Sequence, residues 1–302
     1  MLPHEVETLE LPDKFVYWVR ERHDIFIRKE VQKLEPPWTN DTILQTYFFT
    51  NPYRENDKVT RWVKANIRDP LDNTPQVVFA VAAFRWFNWI PTGVLFNKHN
   101  LLVEWDTNKA IDLLHEHNST GEKVFTGAFT ISPSGSRKPK IERVCEDYIQ
   151  PIWEDRESIF EELMACTTLR NGWKVFRDNY QGFGGSGFMA YEITCDFRYT
   201  YVLSNSTDVN TWSNPGPGAK RGLNRLLGRP IKTRLSNKEY QEKSAKLLNY
   251  TNKKLGDRYP TCEMREIEHS LCEFDKYMRA LDIGAGRLSA GKMKRKYKYA
   301  NI

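Results

Sequence analysis

The chain has 302 residues, 40% hydrophobic and 28% charged, with a formal net charge of +6, and at that length it can bury one large core or two ordinary ones. Its longest uninterrupted apolar run, Val77 to Phe84, is too short to span a bilayer, and Met1 to Asp13 has acidic residues and no apolar h-region, so neither a membrane span nor a secretory leader is expected. Five widely spaced cysteines (Cys145, Cys166, Cys195, Cys262, Cys272) without zinc-site spacing argue for reduced thiols in an intracellular protein.

From the N-terminus, residues 1–13 form an extension, and Lys14 to Leu34 has helical periodicity that Pro36-Pro37 stops. Thr39 or Asn40 can cap the next helix, through Ile43, Leu44, Tyr47 and Phe48. The segment from Thr50 to Trp62, with Asn51, Tyr53, Arg54, Glu55 and Asp57, is dense in groups that bind or transfer protons and lies between two aromatic-rich helices. Pro75 opens a helix that is apolar almost all round from Val77 to Ile90. Its exceptions, Arg85 and Asn88, share a face; a buried arginine needs an acid, as in an internal salt bridge, or a phosphate.

Leu101 to His117 reads as a helix whose His115 and His117, two apart, fall on different faces and do not suit a metal. Ser132 to Lys140 is a basic loop of turn formers, and Ile141 to Leu169 reads as one or two helices interrupted at Pro151. Four glycines then crowd the stretch Gly182-Phe183-Gly184-Gly185-Ser186-Gly187, ahead of the apolar helix Phe188 to Phe197. Glycine lets the backbone approach a ligand, and the first free N–H groups of a helix can hold an anion, so this reads as a phosphate-binding turn. A second glycine turn is expected at Gly216 to Gly222.

Lys220 to Arg234 and Arg287 to Lys298 each hold six basic residues and no acidic one; these twelve of the 45 basic residues leave 33 against 39 acidic ones elsewhere. Positive charge concentrated in this way suits a polyanion such as a nucleic-acid backbone. In Glu263 to Leu281 the apolar residues Met264, Ile267, Leu271, Phe274 and Met278 fall on one side, while Glu266, His269, Glu273 and Lys276 form a stripe on the other. A solvated face is the plain explanation of such a stripe. The basic tail, 287–302, ends the chain.

No Gly-x-x-x-x-Gly-Lys-[Ser/Thr] loop, His-Glu-x-x-His or nucleophile elbow occurs. The glycine hairpin and helix, with Asp208 lying 21 positions after Gly187, resemble the helix-hairpin-helix DNA glycosylases, in which a hairpin grips the DNA backbone and a downstream aspartate works beside a flipped base. No lysine lies between Gly182 and Thr207, which disfavours a lyase.

A longer resemblance runs from about Lys14 to Arg279. Its residues are Arg20-Glu21-Arg22, Pro36-Pro37-Trp38-Thr39 with Asp41, Asn51-Pro52-Tyr53-Arg54-Glu55 with Asp57 and Thr60, Gly184-x-x-Gly187-Phe188-Met189-Ala190-Tyr191, Gly216-Pro217-Gly218 with Arg221-Gly222-Leu223, and His269 through Tyr277. In these the chain resembles the phage-type α-glutamyl/putrescinyl thymine pyrophosphorylases, close to the helical domain found beside 5-hydroxymethyluracil DNA kinases.

That resemblance implies a mainly α-helical domain over 14–286 with a helix-hairpin-helix, glycosylase-like core, acting in the host cytoplasm if phage-encoded. The expected activity replaces the pyrophosphate of 5-(pyrophosphomethyl)uracil in DNA with the nitrogen of an amino acid or polyamine. A base turned out of a duplex needs an aromatic platform, for which Trp38, Tyr53 and Trp212 are candidates. The departing pyrophosphate needs fixed positive charge, from Arg54, Arg221 and Lys276, with Glu273 and Asn51 beside them. The attacking amine must lose a proton, and Asp208 is the first choice of base, followed by Glu55, Asp57 and His269.

Arg85 with Asn88 would hold an amino acid's carboxylate. Gly184, Gly185, Ser186, Gly187, Lys220 and Arg225 would hold DNA. No cofactor is required; a divalent metal could accompany the pyrophosphate, although no ligand signature is present. The partners would be DNA carrying modified thymine, an amino acid or polyamine, and a 5-hydroxymethyluracil DNA kinase. A monofunctional glycosylase using Asp208, or a non-catalytic DNA-binding module serving a kinase, are the rival readings.

Overall fold

The computed structural model describes residues 1–288, and among these every regular element is a helix, with no strand. The run Lys292 to Lys298 of the basic tail lies outside the described residues. In chain order the main helices are α1 (Pro3–Glu7), α2 (Leu11–Phe26), α3 (Thr42–Thr46), α4 (Lys58–Val63), α5 (Pro75–Phe87), α6 (Ile90–Lys98), α7 (Thr107–Ser119), α8 (Arg156–Met164), α9 (Leu169–Asn179), α10 (Phe188–Phe197), α11 (Pro217–Leu226), α12 (Asn237–Leu255) and α13 (Met264–Gly284), with short helical turns at Asp69–Leu71, Lys140–Glu142 and Gln150–Glu154. π-Helical stretches extend α2 over Ile27–Val31 and α4 over Lys64–Arg68, and a third spans Arg143–Ile149. Among the described residues no helix is long and apolar enough to cross a membrane.

The described residues form two compact units, residues 1–57 together with residues 210–288, and Lys58–Val209. In the first unit α2, α12 and α13 enclose a core that includes Phe15, Trp18, Tyr240, Leu271, Phe274 and Tyr277. All five residues of the apolar stripe expected on α13 are buried. Each gains about 1.5–3 kcal/mol from leaving water, so this stripe, more than helical propensity, holds the helix in place. Residues 1–13 carry α1 and the start of α2, and Val6 is fully buried in the same core.

Two local expectations are corrected. Asp41, not Thr39 or Asn40, caps α3, accepting from the backbone N–H groups of Ile43 and Leu44 at 2.8 and 3.2 Å. Its second oxygen accepts from the Tyr17 and Tyr277 hydroxyls at 3.1 and 2.6 Å, tying α2 and α13 to the cap. Gly216 to Gly222 is not a turn, because α11 begins at Pro217. Gly218 and Gly222, four apart, lie on the face where α11 meets α13; a Cβ at Gly222 would stand 2.1 Å from the Leu271 carbonyl oxygen. Glycines spaced for one helix face allow this close crossing.

In the second unit α5 is the central element, and every residue from Val77 to Phe87 is buried. Asn88 ends it in the left-handed conformation, φ 45° and ψ 42°. α9 and α10 are joined by the glycine turn, in which Gly182, Gly185 and Gly187 have positive φ. Gly187 is required twice over: its φ is +66°, and a Cβ there would meet the Trp173 ring at 2.5 Å. The Trp173 indole N–H donates to the Gly187 carbonyl at 2.9 Å, locking the turn to α9.

Candidate functional site

The polar stripe of α13 is not a solvated face. Glu266 is 3% exposed, and His269, Glu273 and Lys276 are half-buried beside the segment that precedes residue 55. That segment is stiffened from within, since the Asn51 Oδ1 accepts from the Tyr53 backbone N–H at 3.0 Å, Pro52 follows Asn51, and Arg54–Asn56 forms a 3-10 turn. The Tyr53 ring packs edge-on against His23 in the core, with centroids 4.9 Å apart, and anchors the loop from below.

Three contacts then join loop to helix. The Thr50 hydroxyl and His269 Nε2 are 2.5 Å apart. The Thr50 backbone N–H donates to Glu273 Oε2 at 2.9 Å, and Lys276 Nζ donates to the same oxygen at 2.6 Å. Lys276 Nζ also stands 4.7 Å from the centre of the Phe49 ring, whose carbonyl accepts from Arg22 Nε at 2.9 Å. Loss of hydration, then the charges of Arg265, Arg54, Lys276 and Arg22, holds His269 well below the usual imidazole value of 6.5.

The imidazole is therefore neutral near pH 7 and has one nitrogen able to take a proton. The surrounding cations would oppose a second positive charge and attract an anion. Arg54 is 4% exposed, where its charge acts through a poorly screening medium. The Asn51 Nδ2 is buried without a partner among the described residues, a donor that costs about 1–3 kcal/mol until something accepts from it.

Sequence reasoning named Thr50 and Arg22 without giving either a role of its own, and passed over Arg265. Thr50 was legible only as the residue before Asn51-Pro52, and the two arginines only as charges one helix turn from apolar core positions. Glu55 and Asp57 are half-buried at the end of the same segment. Trp38 is half-buried, its indole N–H donating to the Leu34 carbonyl at 2.6 Å and Lys29 Nζ lying 5.2 Å from its ring centre. Trp212 is also half-buried. Tyr53, by contrast, is 6% exposed and packed into the core, so its ring offers no open face for a base.

α11 presents the other expected cations of this unit. Asp275, fully buried on α13, accepts from Arg221 Nε at 2.9 Å and Arg225 Nε at 2.8 Å, and Asp282 takes Arg225 Nη1 at 3.0 Å. Arg225 is thereby committed to α13, with its side chain only 13% exposed, whereas the Arg221 side chain remains 39% exposed. Lys220 is half-buried. The spacing of four between the two arginines was the available signal for a shared acid.

In the second unit Arg85 is 3% exposed and donates to both Asp196 oxygens, at 2.6 and 2.9 Å, to Asn88 Oδ1 at 2.8 Å and to Thr60 Oγ1 at 3.1 Å. Its guanidinium is spent on internal partners, the salt-bridge alternative of the sequence reading, and does not offer a carboxylate clamp. Asp208 accepts from the backbone N–H groups of Leu169 and Arg170 at 2.7 and 3.1 Å, so it caps α9.

Gly184, Gly185 and Ser186 are exposed at the tip of the glycine turn, while Gly187 is buried behind them. The loop around Ser132 reaches this turn: Gln181 Nε2 donates to the Ser134 carbonyl at 3.4 Å, and Phe129 packs edge-on against Phe188 with centroids 5.0 Å apart. Lys138 of that loop is held by Glu146 and Asp147. Among the described residues no three or more His, Cys, Asp or Glu side chains gather as a metal cage.

Fold and site together define a protein that is all-helical over its described residues, with cationic side chains gathered around a histidine whose protonation burial disfavours. The chain belongs to the family described as the helical domain of 5-hmdU DNA kinase, whose model it matches over residues 10–283. It is 26% identical over 219 residues to a protein named 5-hmdU DNA kinase from Bacillus phage SP10, a match that takes in 67% of this chain and 34% of that protein. The chain thus spans about a third of the length of that curated relative. No solved structure matches it. Of the resemblance read from the sequence, the relation to the helical domain of 5-hydroxymethyluracil DNA kinases stands, and the helix-hairpin-helix glycosylase-like core has no matching structure behind it.

Proposed function

We propose that this protein is a DNA base hypermodification enzyme that replaces the pyrophosphate of 5-(pyrophosphomethyl)uracil in DNA with an amino acid or polyamine nitrogen. Membership of a family named for a 5-hmdU DNA kinase supports a thymine-derived base in DNA as the substrate. The observation that carries the chemistry is the His269 imidazole, neutral beside the Thr50 hydroxyl and ringed by Arg22, Arg54, Arg265 and Lys276.

A neutral imidazole can take the proton that the attacking amine loses as the new C–N bond forms at the exocyclic carbon. The C–O bond to the pyrophosphate breaks, and the anion leaves toward Lys276 and Arg54. Glu273 keeps Lys276 in position and fixes Thr50 over the imidazole. Addition to the ring before loss of pyrophosphate would need, besides these groups, a nucleophile that bonds to the ring and then leaves it. With Asp208 capping α9, His269 takes its place as the base in this reading.

The test is to incubate the protein with DNA containing 5-(pyrophosphomethyl)uracil and a mixture of amino acids and polyamines, then weigh the nucleosides after digestion. A new adduct with matching pyrophosphate release is expected. His269→Ala should reduce it by about 10²–10⁴-fold, the range for loss of a general base. Abasic sites in place of adducts would make the protein a glycosylase. A second reading is favoured by the two thirds of the phage relative that this chain does not match: the domain would hold DNA for a kinase. DNA binding with no change in nucleoside mass would establish that reading instead.

A further inference from the structure

The segment that follows α11 folds back to make a groove of about 790 Å³ in the first unit. Lys220 and Arg221 line it from α11, and Lys232 and Arg234 from the segment leading to α12. No acidic residue is among the lining residues. Among the described residues Lys220, Lys232 and Arg234 have no acidic partner, and Asp275 holds only the Nε edge of Arg221. α12, 19 residues long, begins at the groove, and its cap Ser236 and first residue Asn237 are part of the wall. The Ser236 hydroxyl occupies the Glu239 N–H, so the positive end of that helix also faces the groove.

Three cations without an acidic partner stand with Arg221, which Asp275 pairs on one edge only, so the groove carries an excess of positive charge. Asp275 braces Arg221 toward the other three. The apolar residues Ile231 and Leu235 between the charges mean that the groove is more than a scatter of surface lysines. We propose that this groove binds the phosphodiester backbone of a nucleic-acid strand, with the four side chains on successive phosphates. The proposal deepens the reading above by saying where the chain holds its DNA, and it rests on that reading for the identity of the strand. The arrangement around His269 is described independently of it.

The experiment measures binding of a labelled single-stranded DNA of about 15 nucleotides, near the upper end of single-strand site sizes, as a function of salt. Four phosphate contacts on a single strand give a slope of log K against log salt of about −3, so affinity should fall about 50-fold between about 50 and about 200 mM salt. The double variant Lys232→Ala/Arg234→Ala should flatten the slope by about 1.4. The control Lys98→Ala/Lys253→Ala, two exposed lysines outside the groove, should keep the wild-type slope.

Equal slopes for the groove variant and the wild type would overturn the groove while leaving adduct formation at His269 intact. No DNA binding by the wild type would overturn both. If inorganic pyrophosphate binds the wild type but not the groove variant, and DNA binds neither, the groove is a product site and the proposal fails.

Discussion

Two clusters of charge are built from the same residue types and differ in what they leave over. Around Asp196 the arginines are spent: Arg85 gives Nε and Nη2 to the two carboxylate oxygens and Nη1 to Asn88, and Arg68 lies 4.0 Å from the same acid. Around His269, burial and the charges of four cations disfavour the imidazolium, and Glu273 holds Lys276 and the Thr50 backbone. The first arrangement is a knot closed around a buried acid, and the second sets cations beside a polar group that burial keeps uncharged. Charge matched around a buried acid builds the fold, and a titratable group shifted by its surroundings is where chemistry is sought.

If that distinction is right, breaking the knot costs stability and little else. Asp196→Ala leaves Arg85 and Arg68, 3% and 1% exposed, without their counter-charge. Loss of about 3–5 kcal/mol is expected, the cost of uncovering a buried pair. It would be read as a lower urea midpoint at unchanged slope, and an unaltered midpoint would remove the knot from the account.

The second test bears on the cluster around His269. His269 and His23 both have folded-state values below the ordinary 6.5, each because burial penalises the cation. An unfolded histidine takes up a proton as pH falls through about 6.5, and the folded one resists. The stability is whole above that value and is lost as pH falls toward the folded values. His269, held well below that value, should cost about 1 kcal/mol between about pH 7 and about pH 5.5, and His23 adds an increment of the same sign. His269→Gln should remove one of these two increments, and identical pH profiles for variant and wild type would mean that His269 titrates normally.

How much of this was legible follows from how local each signal is. α5 could be read from Pro75 and an unbroken apolar run, the core side of α13 from its period, and the turn before α10 from its glycines, because each signal lies inside the element it specifies. The Gly216 to Gly222 stretch could not be told from a turn, since Gly218 and Gly222 make helical sense only against Leu271 on α13. The stripe Glu266, His269, Glu273 and Lys276 has the pattern of a solvated face. What removes it from water is a loop more than two hundred positions earlier in the chain. Arg85 posed the same difficulty, for its need of an acid was evident and the acid, Asp196, is 111 residues away.

Asp208 gives the smallest expected effect and the sharpest separation between the two kinds of acid. Its oxygens take the N–H groups of Leu169 and Arg170, and Thr168 takes that of Asn171 at 3.2 Å, so the first turn of α9 is capped by two side chains acting together. A carboxylate at a helix N-terminus is favoured by the free N–H groups and the dipole, each worth on the order of 1 kcal/mol or less. Asp208→Asn keeps an acceptor oxygen and loses the charge, so stability should fall by about 0.5–1 kcal/mol. Adduct formation by the folded fraction should be unchanged. Loss of a general base would instead lower it by about 10²–10⁴-fold with the midpoint barely moved. The two outcomes differ in which measurement responds, so one variant assigns Asp208 either to the scaffold of α9 or to the reaction.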